Sequence, residues 1–162
     1  MKDAVLTYPY EEQLDDFMYA VCHVDTPISI ALTDADGLCH VFVPYTYNIT
    51  DSSTGSGERV IELPMRDEDN YFIQLPEKSL KWANGKGTWI YAISRIKEVR
   101  IISQETHSKL REFAKNLFEK VDPIYDGRDV LYAYGLHDDA DKENELAERI
   151  WNEHNKIDFD LV

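Results

Sequence analysis

The spacing of hydrophobic residues changes once along the chain, near residue 104. Before this point, short apolar runs predict strands at 27–33, 38–43, 58–63, 70–75 and 87–103, and the last run contains two strands. Most links between these runs are short, and the first two runs are typical of a hairpin. The first part of the chain therefore predicts an antiparallel sheet or a small, strongly bent barrel.

The most apolar stretch of the chain is Gly87–Ser103. Hydrophobic residues occupy both faces of its first strand, with Trp89 and Tyr91 on one face and Ile90 on the other. A break at residues 94–96 gives the strand–turn–strand shape that occurs in SH3-like barrels. This pattern predicts central strands that are covered on both sides.

Three helices are predicted by apolar residues spaced three and four apart. The first covers Tyr10–Val24 and the last covers Asp141–Asn155. The second carries a regular apolar stripe from Leu110 to Val121, with Thr106 as its N-cap and Pro123 as its end.

The segments between these elements are expected to be irregular or extended. Residues 45–57 are rich in Ser, Thr, Asn, Asp and Gly and predict a mobile loop. Residues 76–86 predict a connection, with a single helical turn at 78–82 as an option. After the second helix, Asp126-Gly127 predicts a turn and Asp129–Tyr134 predicts an extended segment or short strand.

These elements predict one domain that covers residues 1–162, because neither side of the 45–57 loop carries a complete core pattern. Its fold class is α+β. We expect an antiparallel five- to six-stranded sheet or a small bent barrel, SH3-like only in shape, with one N-terminal helix and two C-terminal helices.

The charge of the chain is strongly acidic. It has 17 Lys and Arg against 31 Asp and Glu, a net charge of −14. Residues 1–75 carry −11 and residues 104–162 carry −7, whereas residues 76–103 carry +4. Such a balance disfavours direct binding to nucleic acid and favours a basic partner, although acidity also serves solubility. The cations Arg95, Lys97 and Arg100 are expected to pair with the acidic helices.

The cellular setting predicted by the sequence is the cytoplasm, without a membrane segment. No apolar run approaches the roughly 20 residues of a membrane helix, and the acidic beginning is unlike a signal peptide. The two cysteines are too few for a disulfide scaffold and favour a reducing compartment.

Two groups of residues contain the side-chain types that bind metals, but a structural role explains each of them better than a metal site does. Cys22-His23 and Cys39-His40 contain zinc ligands, but neighbouring residues on a strand or helix point in different directions, so the cysteines are expected in the core. Residues 34–37 begin like a calcium loop but lack its later ligands, and a hairpin turn explains them. We predict no metal and no cofactor.

The densest group of histidine and carboxylates is His137-Asp138-Asp139-Ala140-Asp141. One interpretation is a metal or acid–base site. The favoured interpretation is the beginning of a helix, where aspartates cap backbone N–H groups and suit the helix dipole. His107 and His154 are expected to face solvent.

The function that this sequence favours is binding and inhibition of a basic protein. The chain would occupy the cationic cleft of a nuclease-like toxin, as immunity proteins do, or imitate nucleic-acid charge, as some phage-encoded counter-defence proteins do. Tyrosines supply contact area and carboxylates supply steering. The predicted partner-binding residues are Asp67, Glu68, Asp69, Asp138, Asp139, Asp141, Glu143, Glu145, Tyr132 and Tyr134.

Two other functions stay open at this point. A hydrolase, metal-dependent or using acid–base catalysis, would employ His137 and the nearby aspartates. An accessory subunit would associate with itself through the sheet and its aromatic surfaces. No catalytic residues are assigned, since the chain lacks the local signature of a nucleophile or a phosphate-binding loop.

Overall fold

A computed structural model describes residues 5–65, 69–83 and 86–161 of the chain. In chain order, its elements are β1 (Val5–Thr7), α1 (Glu11–Cys22), β2 (Ser29–Asp34), β3 (Leu38–Phe42), β4 (Asn48–Asp51), β5 (Arg59–Met65), β6 (Tyr71–Gln74), β7 (Ser79–Ala83), β8 (Gly87–Ala92), β9 (Ile96–Ile102), α2 (Gln104–Ala133) and α3 (His137–His154). A 3-10 turn, Ile93–Arg95, joins β8 to β9.

The strands form two antiparallel sheets. The six-stranded sheet has the order β1-β9-β2-β3-β6-β7, and the three-stranded sheet has the order β4-β5-β8. The predicted α+β class, the antiparallel sheet, the N-terminal helix and the two C-terminal helices are confirmed, and the described strands do not close into a barrel. No helix in the described parts of the chain is long and apolar enough to cross a membrane.

The six-stranded sheet is buried on both faces. Along β2, Ile30 and Leu32 point to one face and Ala31 to the other, because side chains alternate along a strand. The face with Ile30 packs against α1 and the three-stranded sheet, which contribute Leu14 and Ile61. The opposite face packs against α2 and a C-terminal segment. The molecule therefore has three layers with the six-stranded sheet in the middle.

The apolar stripe predicted for the second helix covers the sheet as expected. Leu110, Ala114, Leu117 and Val121 are all at most 2% exposed, and they recur at the spacing of one helical face. The hairpin predicted between the first two strands is confirmed as β2 and β3.

The stretch from residue 87 to 103 differs from its prediction. Its second strand, β9, lies inside the six-stranded sheet between β1 and β2. Its first strand, β8, pairs with β5 at the side of the three-stranded sheet, and Ile90 is 56% exposed. The prediction that both faces of this strand are covered is wrong. Its apolar residues on one face, Trp89 and Tyr91, do pack against the core.

Two predicted irregular segments contain strands. Asn48–Asp51, inside the predicted 45–57 loop, pairs with β5. Ser79–Ala83, where one helical turn was an option, forms β7 and pairs with β6. Both strands are short, and apolar and polar residues barely alternate along them. Their own sequence therefore predicts a strand only weakly, and pairing with the neighbouring strands determines their conformation. The mobility of residues 45–57 stays a prediction.

The second helix is longer than its sequence predicts. It continues through Pro123 and Gly127 to Ala133, so the predicted end, the turn and the extended segment at 129–134 are all wrong. A proline inside a helix removes one backbone hydrogen bond. Here α3 packs along α2 and offsets that cost, and the Arg128 guanidinium donates to Asn144 Oδ1 at 2.6 Å.

The beginnings of both C-terminal helices also differ from prediction. Ser103, not Thr106, is the N-cap of α2, and its Oγ accepts a hydrogen bond from the Thr106 amide at 3.0 Å. The third helix begins at His137, four residues before the predicted beginning at Asp141.

Two histidines are fully buried, and one of them was expected in solvent. His107 bonds to Ser29 Oγ through Nδ1 at 2.5 Å, whereas His154 is exposed. His40 lies between the two sheets, with Nε2 at 3.2 Å from Asn70 Oδ1 and Nδ1 at 3.0 Å from the Tyr91 hydroxyl. Desolvation lowers the pKa of His40 to about 3 and also lowers the pKa of His107.

We expect the protein to lose stability in mild acid through His40. The folded state keeps this ring neutral down to about pH 3, whereas the unfolded chain binds the proton near pH 6.5. The unfolded state therefore binds more protons as the pH falls below 6.5, and His40 alone lowers the free energy of unfolding by about 2 kcal/mol between pH 7 and pH 5. Urea unfolding at both pH values measures this loss.

The matched variants for this prediction are His40→Gln and His154→Gln. His40→Gln is expected to remove about 2 kcal/mol of the acid sensitivity, because its amide does not titrate. His154→Gln, at an exposed position, is expected to keep the wild-type dependence. Full acid sensitivity in His40→Gln would show that His40 is protonated in the folded state.

Two glycine substitutions test the turn of β2–β3 and the continuation of α2. Gly127→Ala places a Cβ in open space within a helix and is expected to stabilise the protein by about 0.5–1 kcal/mol. Gly37→Ala is expected to destabilise it by at least about 1 kcal/mol, since Gly37 has φ +82° and its Cβ would lie 2.8 Å from the Leu75 carbonyl oxygen. Urea midpoints measure both. Loss of stability in Gly127→Ala would indicate a turn at Asp126-Gly127.

Candidate partner-binding surface

The end of α2 and the beginning of α3 form a helical hairpin, which we call the arm (residues 122–148). No residue of α2 after Val121 is buried, yet the helix continues for 12 residues to Ala133. At about 1.5 Å per residue, this extension is about 18 Å long. In the arm, α3 buries Ala140 and Ala147, and these small residues allow the two helices to pack closely. The arm is thus supported mainly by its own two helices.

The tip of the arm exposes large apolar side chains. Tyr134 is 80% exposed, Val130 56%, Leu136 49% and Tyr132 38%. These four residues lie within seven positions at the end of the arm, with Val130 and Tyr132 on different sides of α2. Exposed apolar side chains that are grouped in this way often mark interaction sites. Tyrosine is also enriched at the centres of protein interfaces.

The remainder of the arm is acidic. Residues 122–148 contain nine Asp and Glu and two basic residues, a net charge of −7. One of the two cations, Arg128, bonds to Asp129 at 2.9 Å and lies 4.7 Å from the centre of the Tyr125 ring. Because Arg128 also bonds to Asn144, it joins the two helices and is not directed towards the tip.

The predicted acidic residues of α3 are spread around the helix. Asp138 and Glu145 follow helical spacing on the side opposite the buried alanines, together with the cation Lys142. Asp139 and Glu143, which are four residues apart, lie along one flank, and Asp141 lies on the other flank, beside Tyr132 of α2. Within the arm, α3 therefore exposes carboxylates on its outward side and on both flanks.

A hydrogen bond holds the tyrosines of the tip next to these carboxylates. The Tyr132 hydroxyl donates to Asp141 Oδ1 at 2.7 Å, and this bond raises the pKa of Tyr132. The Tyr132 ring also lies 5.7 Å from the His137 ring. Tyr132 is thereby fixed across the hairpin, whereas Tyr134 extends into solvent.

The second predicted acidic run does not join this surface. Asp69 bonds to Arg111 at 3.0 Å and accepts a hydrogen bond from the Tyr71 hydroxyl at 3.2 Å. Arg111 precedes Tyr132 by 21 residues of the same helix, a separation of about 30 Å. Asp67 and Glu68 lie outside the described residues. The predicted residues therefore do not form one continuous patch.

The basic residues near β9 pair with carboxylates outside the helices. Arg95 bonds to Asp36 in the β2–β3 turn at 2.7 Å, and Arg100 bonds to Glu98 in the same strand. The prediction that these two cations pair with the acidic helices is wrong. Their charges consequently leave the carboxylates of the arm uncompensated.

His137 lies at the beginning of α3 and is exposed. The N-cap of this helix is Leu136, and no side chain makes a cap hydrogen bond, so the predicted capping by aspartates is wrong. Asp138 and Asp139 do occupy the first turn, where negative charge is stabilised by the helix dipole. Within the described residues, no three His, Cys, Asp or Glu side chains are grouped as metal ligands.

The two groups of metal-ligand residue types for which the sequence favours a structural role are Cys22-His23 with Cys39-His40 and residues 34–37. Cys39 is buried in the core, and desolvation raises its pKa to about 11, while Cys22 is partly buried. Asp34 Oδ1 accepts hydrogen bonds from the amides of Asp36 and Leu38 at 2.9 and 3.0 Å, which confirms the predicted hairpin turn.

Sequence reasoning missed the exposed apolar residues of the tip, Val130 and Leu136. A signal for the continuing helix was present, because Ile124, Tyr125, Arg128 and Leu131 extend the spacing of the α2 stripe beyond Val121. All four are partly buried. The proline and glycine signals hid this periodicity.

The chain was compared with known protein families, curated proteins and solved structures. None of the three comparisons found a significant match. The candidate surface is therefore defined by its geometry and charge alone.

Proposed function

We propose that the chain is a small binding protein that inhibits a basic protein partner through its arm. The observation that supports this proposal is the exposed apolar tip within a hairpin of net charge −7. Carboxylates accelerate the encounter with a cationic surface, and the tip supplies apolar area once contact is made. We place this activity in the cytoplasm, in keeping with the two free cysteines.

The shape of the arm favours a cleft in the partner over a flat surface. A narrow two-helix projection presents Tyr134 and Leu136 at its end and carboxylates along its side. An aromatic side chain that enters a pocket commonly dominates the energy of an interface. The immunity-type mode, occupation of a cationic cleft, fits this combination better than imitation of nucleic-acid charge, since imitation requires carboxylates but no apolar tip.

Reversal of three charges on α3 is expected to weaken capture of the partner. Asp138→Lys, Asp141→Lys and Glu145→Lys together replace three negative charges with three positive ones, a change of six units, and like charge opposes association with a basic protein. We expect affinity to fall at least about tenfold. Partners captured by wild-type protein are identified by mass spectrometry, purified and measured by calorimetry at several salt concentrations.

The matched control is Asp16→Lys, Asp25→Lys and Glu112→Lys. It makes the same change in net charge at exposed positions outside the arm. The control is expected to retain most of the affinity. Equal loss in both triple variants would show that net charge, and not the arm, determines binding.

Truncation of the tip separates the two modes of inhibition. Tyr134→Ser with Leu136→Ser is expected to lower affinity by about 30-fold or more at unchanged net charge, because the anchor of the interface is lost. The control, Tyr19→Ser, removes a tyrosine that is 59% exposed on α1 and is expected to have little effect. Binding by the tip variant that equals wild type and still depends on salt would favour nucleic-acid imitation.

A further inference from the structure

A groove of about 510 Å³ lies on the side of the six-stranded sheet opposite α2. The link between β1 and α1 forms one wall with Tyr8 and Tyr10, and the beginning of β5 forms another. Its apolar floor includes Ile93 from the 3-10 turn and Ile96 from β9. The groove is separate from the arm.

Two tyrosine rings stand at the mouth of the groove. Tyr8 is 64% exposed and Tyr10 is 78% exposed, although both line it. Their backbones are fixed, since the Tyr8 amide donates to the Lys97 carbonyl at 2.7 Å and the Tyr10 amide donates to Gln13 Oε1 at 3.0 Å. Tyr8 also has φ +47°, a left-handed conformation that is uncommon for tyrosine. The backbone that carries the two rings is thus fixed beside the groove.

The charges around the groove sum to a negative value. Arg59 bonds to Glu11 at 2.6 Å and to Asp51 at 3.0 Å, so its single positive charge faces two carboxylates. A third carboxylate, Glu58, lines the groove and makes no ion pair within the described residues. The charged side chains of the lining, Glu11, Glu58 and Arg59, carry a net charge of −1. Lys97 contributes its backbone to Tyr8, and its side chain is not part of the lining.

From this combination we infer that the groove binds a long cationic side chain, lysine or arginine, presented by a basic protein segment. The methylene stem would lie on Ile93 and Ile96, and the cation would contact the tyrosine rings and Glu58. A cation over an aromatic ring is attracted by its negative face, and lysine and arginine bury their stems while their charge stays near water. An anionic ligand is disfavoured by the net charge of −1 on the lining.

This site goes beyond the proposed function and does not depend on it. The arm and the groove are built from different elements, and the central sheet separates the groove from the part of α2 that packs on the core. A basic partner that contacts only the groove would leave the arm proposal wrong and this inference correct. A partner that contacts only the arm would give the reverse outcome, so the failure of one proposal is distinguishable from the failure of the other.

The test is an NMR titration of ¹⁵N-labelled protein with the capped peptide Gly-Gly-Lys-Gly-Gly. We expect saturable shifts at Tyr8, Tyr10, Glu58 and Ser94, which line the groove, and weak affinity because one side chain binds alone. The same peptide with norleucine in place of lysine keeps the stem but lacks the cation. The norleucine peptide is expected to bind about twofold to fivefold more weakly than the lysine peptide.

Two conservative variants assign the contacts. Glu58→Gln removes the unpaired carboxylate, and Tyr10→Leu removes the aromatic face while keeping apolar area; each is expected to weaken lysine-peptide binding about twofold to fivefold. Glu12→Gln and Tyr19→Leu, at exposed positions of α1 that do not line the groove, are the matched controls. The triple charge reversal in α3 is expected to leave this binding unchanged.

Three results would overturn the inference. The first is an absence of saturable shifts at the groove, and the second is equal binding of the lysine and norleucine peptides, which would indicate an apolar site. The third is a set of shifts that is spread over the acidic helices and is removed by the α3 charge reversal. Spectra of each variant, compared with wild type, establish that it is folded.

Discussion

The structure depends on one constraint, which is that the six-stranded sheet must be covered on both faces. β2 and β3 carry apolar residues on both faces of the sheet, so neither face can remain in water. The three-stranded sheet and α1 cover one face, and the stripe of α2 from Leu110 to Val121 covers the other. Since α2 is longer than the face that it covers, its last 12 residues extend past the core and pair with α3.

The distribution of charge follows from the same geometry. Arg95 and Arg100 near β9 pair locally, with Asp36 and Glu98, while the arm carries its charge of −7 beyond the core. Carboxylates stabilise the beginning of α3 through its dipole and do not require cations for that role. An extended acidic hairpin with an apolar end results, and this is the physical basis of the proposed inhibitor.

The sequence predicted those parts in which one local pattern determines the structure. Alternation in β2 and β3 and the stripe of α2 are examples, because side chains on one face recur every two residues along a strand and every three to four along a helix. The continuation of α2 through Pro123 was not predicted, because the apolar spacing beyond Val121 conflicts with the helix-breaking preference of proline, and the packing of α3 decides between them. Burial of His107 depends on Ser29, 78 residues earlier, and no local signal contains such a contact. For the candidate surface, the sequence identified the acidic residues of α3. Only the fold shows that Asp69 lies far from them.

The most direct test of the account is hydrogen–deuterium exchange of the protein, free and bound to the basic partner that its arm captures. The account predicts slower exchange on binding from Val130 to Glu145, and no slowing at Asp16 on the opposite layer. Unchanged exchange throughout the arm in a saturated complex would contradict the account, because the partner would then contact another surface.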